Sequence, residues 1–224
     1  MNYFKHVFIC LISLGIILTL IHYSDFDLKF QSLFFISEIN NWLVDRNDLV
    51  LKFFLYRLPK YIIIIYGISL IFWGSKLALC QQDTQTQKKI LYLVLSLILI
   101  PLIVATLKHF SPIHCPNFIQ EFGGTSRHIS PLEIFNSEIF FHYNGKCFPA
   151  GHASGGFALI SLYFIATNSR YKIASLITSF TLGWTMGLYQ IAKGAHYLSD
   201  TIVTLAIAYL VSITLHSLIV KKDS

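Results

Sequence analysis

Charged residues are scarce in this sequence of 224 residues: Asp, Glu, Lys and Arg together make up 12% of the chain, whereas a soluble domain carries about 25%. Hydrophobic residues make up 54%. These values exclude an ordinary soluble enzyme, and apolar runs of about 20 residues are typical of transmembrane helices. The sequence therefore predicts an all-α polytopic membrane protein, organised as one domain over residues 1–224.

The sequence also lacks a basic stripe of the kind that binds nucleic acid. Its net charge is +6, but the 17 Lys and Arg residues are scattered in ones and twos near the ends of apolar runs. Charges in these positions set membrane topology and contact lipid headgroups. We therefore expect no nucleic-acid partner; the expected partners are the lipid bilayer and a phosphorylated membrane lipid.

Six apolar runs predict a bundle of six transmembrane helices. They cover residues 7–23, 61–79, 90–107, 151–167, 173–192 and 201–220. The first run is similar to a signal peptide, but no small-x-small cleavage site follows it, so we interpret it as an uncleaved anchor. An even number of spans puts both termini on one side. The density of Lys and Arg beside the span ends predicts that this side is the cytoplasmic face of a bacterial inner membrane.

Two long segments, residues 24–60 and 108–150, are then expected to face the periplasm. The first contains a run at 49–57 that is typical of a helix lying in the membrane interface. The second contains several histidines, two cysteines and a Gly-Gly pair. Loops of this length are usually functional or disordered, and its aromatic residues argue against disorder.

Polar side chains cluster where three predicted spans meet the periplasmic face, in residues 108–116, 147–156 and 193–200. Gly151 and His152 open a helix, whose free backbone N–H groups form an anion site. His196 and Asp200 are four residues apart, which predicts that they share one face of a helix. The carboxylate can then fix the imidazole tautomer and leave the other ring nitrogen as a nucleophile.

Lysines flank these residues, and Lys108 and Lys193 are placed to neutralise phosphoryl oxygens. A lysine at a span end is also typical of a snorkelling anchor. In the same way, His196 and Asp200 alone are consistent with a pair at a helix end that hydrogen-bonds to each other and has no catalytic role. The functional interpretation depends on His152 lying at the same face.

These stretches resemble the signatures of the type 2 phosphatidic acid phosphatase superfamily, whose site is shared with vanadium haloperoxidases. The signatures are Lys, six residues and Arg-Pro; Pro-Ser-Gly-His; and Ser-Arg, five residues, His, three residues and Asp. Here they correspond to Lys108 with Cys115-Pro116, to Pro149 through His152, and to Tyr189-Gln190 followed by His196 and Asp200. The resemblance is carried by residues 108–200 and, before them, by hydropathy alone.

The chain departs from the signatures at three positions. Cys115 and Gln190 stand where the family has arginines, and Ala150 stands where it has serine. The family arginines hold the transferred phosphoryl group. We expect Lys193, and Arg127 in the long loop, to supply the missing charges.

The resemblance implies a lipid phosphatase, that is, a phosphoric monoester or diphosphate hydrolase, which works without a metal or other cofactor. His196 would attack phosphorus and form a phosphohistidine, Asp200 would orient it, and His152 would protonate the leaving oxygen and then activate water. The expected phosphate-binding residues are Lys108, Ala150, Gly151, Lys193 and Arg127. Two alternatives stay open, namely phosphotransfer to another lipid at the same site and a membrane binding scaffold without catalysis.

Four cysteines are present, and two of them, Cys115 and Cys147, lie in the predicted periplasmic segment. An oxidising compartment permits a disulfide between them. Cys10 and Cys80 are expected to be buried, inert thiols. A zinc site built from the loop histidines and the two outer cysteines is an alternative, but their spacing fits no familiar tetrahedral pattern.

Overall fold

The computed structural model describes residues 3–79 and 83–220, so Cys80 and its expected role lie outside the described residues. The chain is an all-α membrane protein apart from one short hairpin. Its α-helices are α1 (Tyr3–Ser24), α2 (Phe26–Ser32), α3 (Leu49–Lys52), α4 (Leu58–Leu79), α5 (Thr84–His109), α6 (Ser137–His142), α7 (Gly151–Ala158), α8 (Ser161–Ile165), α9 (Ser169–Ala192) and α10 (Leu198–Leu215). The hairpin pairs β1 (Phe35–Ile36) with β2 (Asn41–Trp42) in antiparallel register.

Four helical segments within the described residues are long and apolar enough to cross a membrane, against six predicted. They are Tyr3–Ser24, Leu49–Leu79, Thr84–His109 and Leu198–Val220. The predicted fourth span corresponds to a shorter apolar segment, Gly151–Ile165, which comprises α7, α8 and the turn between them. The predicted fifth span is the 24-residue helix α9, whose polar residues dilute its hydropathy. The count of six therefore stays a prediction.

The run at 49–57 does not form a separate interfacial helix. It comprises α3 and a π-helical segment, Phe53–Arg57, and continues directly into α4. Together they make one membrane-length segment, Leu49–Leu79. Because the segment is continuous, residues 49–57 lie at one end of a long helical segment.

The short helix α7 lies at the centre of the bundle and packs against α5, α9 and α10. Its approach to α9 is close because a Cβ on Gly156 would lie 2.5 Å from the backbone nitrogen of Gly183. Small residues permit such backbone contact between membrane helices. Ser179 adds a hydrogen bond from Oγ to the carbonyl of Gly156, at 3.2 Å. The tight contact fixes α7 against α9 at a point one helical turn after His152.

The predicted outer segments form an ordered cap over one end of the bundle. The cap contains four 3₁₀ helices, Ser37–Ile39, Pro116–Phe118, Gln120–Phe122 and Pro131–Phe135. Its hydrophobic core joins Trp42 of the first segment to Ile119 and Phe122 of the second. Tyr197, next to the predicted nucleophile, belongs to the same core. The cap therefore ties both outer segments to the start of α10.

Candidate active site

His196 lies in a tight turn between α9 and α10. The turn is closed by backbone hydrogen bonds from Gly194 N to Ile191 O at 2.9 Å and from Ala195 N to Gln190 O at 2.8 Å. Gly194 has φ of +69°, a left-handed conformation that favours glycine. His196 therefore precedes α10, and the prediction that it shares a helix face with Asp200 is wrong, although the two side chains do meet.

Asp200 orients His196 from the first turn of α10. Its Oδ2 lies 2.9 Å from His196 Nδ1 and also accepts a hydrogen bond from Tyr197 N at 3.1 Å. Both side chains are almost fully buried. An ionised Asp200 places the imidazole proton on Nδ1, so that Nε2 carries a free lone pair.

A second carboxylate, Asp27 of α2, holds the start of α10 in place. Its Oδ1 accepts a hydrogen bond from Ser199 N at 3.0 Å, and its Oδ2 accepts one from Ser199 Oγ at 2.5 Å. It thereby caps free N–H groups at the helix N-terminus. Burial raises the pKa of Asp27 to about 6, although the Ser199 hydrogen bonds act in the opposite direction. Local sequence patterns gave no signal for this contact.

The three predicted polar stretches converge on Nε2 of His196. His152 Nδ1 lies 3.3 Å from it, and Lys108 Nζ lies 3.4 Å from it. His152 and Lys108 are half-buried, so this side of the imidazole is the accessible one. Burial, followed by the charges of Lys108 and Lys193, lowers the pKa of His196 well below its usual range. A neutral imidazole is the nucleophilic form.

The predicted anion site at the start of α7 is present only in part. Ala150 N donates to the carbonyl of Asp200 at 3.2 Å, so this amide is already occupied by protein. Phosphate binding by Ala150 stays a prediction, and this contact removes its N–H from the expected anion site. Gly151 lies beside Lys108, because a Cβ there would be 4.0 Å from Lys108 Cδ.

Of the two cations expected to replace the family arginines, the structure brings only one to the site. Lys193 ends α9, and its Nζ lies 4.6 Å from the ring centroid of Tyr189. Burial, followed by the charges of Lys52 and Arg46, lowers the pKa of Lys193 to about 8. Arg127 instead forms an ion pair with Glu133 at 2.8 Å on the exposed side of the cap. Phosphate binding by Arg127 therefore stays a prediction, and its observed partner is local.

Three cations from residues 46–60 were not among the predicted site residues: Arg46, Lys52 and Lys60. Arg46 donates from Nε to Lys193 O at 3.0 Å and from Nη2 to Gly194 O at 3.2 Å. Lys60 Nζ lies 5.8 Å from the ring centroid of Tyr56, and that ring contacts the His152 ring at 5.0 Å between centroids. A signal was available, because Lys52, Tyr56 and Lys60 recur every four residues, as on one face of a helix.

Cys115 and Cys147 form a disulfide bond in the structure. The Cys147 sulfur packs behind the nucleophile, 3.6 Å from His196 Nδ1 and 3.2 Å from Ala195 O. The disulfide thus ties the first polar stretch to the second, at the buried side of His196. Cys10 is a half-buried free thiol.

Among the described residues, one group of side chains is close enough to hold a metal ion: Cys147, His196 and Asp200. A cysteine ligates zinc as a thiolate, whereas the Cys147 sulfur is bonded to Cys115. The donor set therefore does not fit a metal while the disulfide is intact. The zinc site considered from the loop histidines is not assembled either: His114 contacts Tyr143, His128 contacts Tyr197, and the His142 side chain is not among those described.

A cavity of about 270 Å³ opens beside His152. Tyr56 and Lys60 line it together with His152, and much of its remaining lining is apolar. The apolar residues are Ile63, Ile64, Leu97, Pro101 and Met186. The candidate site therefore adjoins a largely apolar space between helices.

The bundle and its buried histidine–aspartate pair define a membrane protein with a site suited to phosphoryl transfer. A family model, the PAP2 superfamily, matches residues 89–224, more than half of the chain. The chain belongs to this superfamily, whose members are phosphatases. The matched part contains Lys108, His152, His196 and Asp200, whereas Arg46 and Lys60 precede it. Comparisons with curated proteins and with solved structures gave no match.

Proposed function

We propose that this protein hydrolyses the phosphate of a membrane lipid through a phosphohistidine on His196. The observation that carries the proposal is the environment of one atom, His196 Nε2. Its ring is fixed from behind by Asp200 at 2.9 Å, and in front of it lie His152 Nδ1 at 3.3 Å and Lys108 Nζ at 3.4 Å. A nucleophile, a proton donor and a cation therefore surround the position that a phosphorus atom would occupy.

In the first step, the Nε2 lone pair of His196 attacks phosphorus in line with the ester oxygen. The P–N bond forms, the P–O bond to the lipid breaks, and its electron pair leaves on that oxygen. His152, which is protonated once the anionic phosphate is bound, donates a proton to the leaving oxygen and becomes neutral. Asp200 stabilises the positive charge that develops on the imidazole, and Lys108 stabilises the phosphoryl oxygens.

In the second step, water attacks the phosphohistidine. Neutral His152 removes a proton from the water, the new P–O bond forms, and the P–N bond breaks with its electron pair returning to Nε2. Inorganic phosphate is released and both histidines regain their starting states. The charge stabilisation that a metal ion supplies in other phosphatases is here assigned to Lys108 and Lys193, whose charges act on His196.

The lipid nature of the substrate is supported by the cavity beside His152. A phosphorylated headgroup at His196 would place the attached hydrocarbon chain near the apolar end of this space. Burial of methylene groups there would contribute about 0.8 kcal/mol each. We place the site on the periplasmic face of a bacterial inner membrane, because the disulfide beside His196 is typical of an oxidising compartment.

The test is phosphate release from a panel of lipid phosphates in detergent, with EDTA present, comparing wild type with His196→Ala. We expect metal-independent release that falls at least about 10⁴-fold in the variant, the scale of removing a nucleophile. His109→Ala is the matched control, because His109 is exposed at the end of α5 and contacts Phe110. Trapping with a ³²P-labelled lipid should give an acid-labile phosphoprotein.

Three outcomes separate the alternatives. Labelled phosphate that moves to an added lipid acceptor, without release, would indicate phosphotransfer. Absence of both release and label in well-folded wild type would indicate a binding scaffold. Release that persists in His196→Ala would exclude the phosphohistidine.

A further inference from the structure

We propose that reduction of the disulfide between Cys115 and Cys147 turns the buried side of the candidate active site into a zinc site. Its ligands would be Cys147 Sγ, His196 Nδ1 and Asp200 Oδ2, and zinc bound there would hold the protein in an inactive form. Metal binding is argued from the geometry of these three side chains, whereas the loss of activity rests on the proposed function.

The three donor atoms already lie at distances that suit a tetrahedral zinc ion. Bonds of about 2.3 Å to sulfur and about 2.0–2.1 Å to nitrogen and oxygen place tetrahedral ligands about 3.3–3.6 Å apart. Cys147 Sγ lies 3.6 Å from His196 Nδ1 and 3.7 Å from Asp200 Oδ2. Nδ1 and Oδ2 are joined by a hydrogen bond of 2.9 Å, and they would have to separate by about 0.4 Å. The three side chains therefore need little rearrangement to share one ion.

The second carboxylate oxygen of Asp200 independently favours a cation at this position. Oδ1 is buried and accepts no hydrogen bond from any of the described residues. A buried carboxylate oxygen without a donor is unfavourable, and coordination to a metal ion removes that cost. Zinc accepts carboxylate together with cysteine and histidine ligands, and three protein ligands suffice, as in catalytic sites whose fourth position holds water.

The backbone holds Cys147 in place without the disulfide. Cys147 N donates to the carbonyl of Ile113 at 3.0 Å, and Lys146 N donates to that of Ser111 at 2.9 Å. The two segments pack so closely that a Cβ on Gly145 would lie 2.1 Å from the backbone of Ile113. None of these contacts involves the S–S bond, so we expect a free Cys147 thiol to stay beside the nucleophile.

The disulfide is open to reduction from the Cys115 side. Cys115 is half-buried and Cys147 is fully buried, so a dithiol reductant attacks the Cys115 sulfur. The dithiol supplies two electrons and two protons, the S–S bond breaks, and the dithiol becomes a disulfide. Zinc then displaces the proton of the Cys147 thiol, and the proton on His196 Nδ1 moves to Nε2.

Zinc on Nδ1 would remove the nucleophile. A neutral imidazole that binds a metal through one nitrogen carries its proton on the other, so Nε2 of His196 would have no lone pair for phosphorus. Disulfides form in oxidising compartments, and cysteines are thiols before they reach one. Formation of the Cys115–Cys147 bond would therefore expel the metal and switch the site on.

The experiment compares Cys115→Ser, which leaves the Cys147 thiol free, with the matched control Cys147→Ser, which leaves the Cys115 thiol free. Both full-length variants keep Cys10 and Cys80, so these thiols cancel in the comparison. Each variant is purified in detergent, stripped of metal and titrated with Co²⁺ as a spectroscopic probe, and zinc affinity follows from competition.

We expect a thiolate-to-cobalt charge-transfer band in Cys115→Ser. Its zinc affinity should be at least about 100-fold higher than that of Cys147→Ser, because even the loss of an outer partner of a metal ligand costs about 10–100-fold. A disulfide that only fastens the cap predicts the same affinity for both variants. Equal affinities, or no thiolate band in Cys115→Ser, would overturn the zinc site.

Wild type gives the same test on an unaltered chain, before and after reduction with a phosphine. The cobalt band should appear only after reduction, and its absence from reduced, folded wild type would overturn the site even where Cys115→Ser does not fold. Zinc should also stop phosphate release by reduced wild type, with recovery in EDTA, at concentrations at least about 100-fold below those that affect the oxidised form.

Cobalt binding without inhibition by zinc would overturn the inhibitory role. If oxidised wild type cleaves no lipid phosphate, the proposed function fails, and the cobalt spectra alone then decide for or against the zinc site.

Discussion

Two parts of the chain meet at His196, and they hold their polar groups in different ways. In the part matched by the family model, residues 89–224, His196 and Asp200 are nearly inaccessible and hydrogen-bonded to each other. In the N-terminal part, residues 3–79, Arg46 and Lys60 are exposed, and their cationic ends have no carboxylate partner among the described residues. The same site therefore combines a buried, hydrogen-bonded pair with exposed cations.

The difference indicates a division of labour. Groups that change their bonding during the reaction need fixed geometry, since a displacement of about 1 Å can cost 10²-fold in rate. Groups that select an anion act through charge, which depends less steeply on position. We expect substitutions in the matched part to lower the rate of the chemical step, and substitutions in the N-terminal part to change which substrate is bound and how tightly.

After His196→Ala, the largest effect is expected from Asp200→Asn in the matched part. A carboxamide presents an N–H donor to His196 Nδ1 and so favours the wrong tautomer, with the proton on Nε2. We expect kcat to fall by about 10²–10⁴-fold with little change in KM. Asp83→Asn, at the N-cap of α5, is the control, because asparagine serves equally well as an N-cap. A variant that retained more than half of wild-type kcat would show that Asp200 does not set the tautomer.

A smaller effect is expected from Trp42→Ala, which weakens the contact between the two parts. Trp42 is 8% exposed and packs against Phe35, Phe122 and the Gly194 turn. Removing a buried tryptophan costs about 3–5 kcal/mol, so thermal unfolding in detergent should shift downwards. KM should rise because Arg46 loses its position, whereas kcat should be less affected.

The control for this variant is Trp73→Ala, because Trp73 is 62% exposed on α4. It should leave both the unfolding temperature and KM close to wild type. If Trp42→Ala lowered kcat as strongly as kcat/KM, the N-terminal part would be needed for the chemical step, and the division between the two parts would be wrong.

The meeting of His152, His196 and Lys108 was predictable because each residue lies beside the end of an apolar run. Hydropathy predicts that such residues share one face of the membrane, and the spacing of four between His196 and Asp200 predicts that their side chains meet. Even so, a pattern of spacing does not distinguish a helix from the turn before it. The position of His196 outside α10 depends on Gly194, whose φ of +69° lets the chain turn at that point.

The positions of Arg46 and Arg127 were not predictable in the same way. Arg127 and Arg46 both lie in long outer segments, and the sequence does not say how such segments fold back over a helix end. Glu133 holds Arg127 within its own loop, while the packing of Trp42 on Gly194 brings Arg46 to the turn. The position of Arg46 depends on a contact between residues that are distant in sequence. The position of Arg127 depends on which partner its side chain pairs with. Sequence periodicity encodes neither.

The smallest effect is expected for the pH dependence of KM. It depends on Lys193, where the charges of the two parts meet. Burial and the charges of Lys52 and Arg46 lower the pKa of Lys193 to about 8. Lys193 is then charged at about pH 7 and mostly neutral at about pH 9. An anionic substrate binds the charged form better, so affinity is fully present below this pKa and is lost as pH rises through it. We expect KM to rise several-fold between these pH values, with a smaller change in kcat.

Lys193→Arg is the variant that tests the assignment, because a guanidinium keeps its charge throughout this range. Its KM should stay nearly constant from about pH 7 to pH 9. Lys146→Arg, an exposed lysine of the cap, should follow the wild-type profile. If KM in Lys193→Arg rose as steeply as in wild type, the titrating group would be another residue. Arg46 and Lys52 lower the pKa of Lys193, so neutralising either of them should move the rise in KM to higher pH. Such a shift would link the charges of the N-terminal part directly to substrate binding in the matched part.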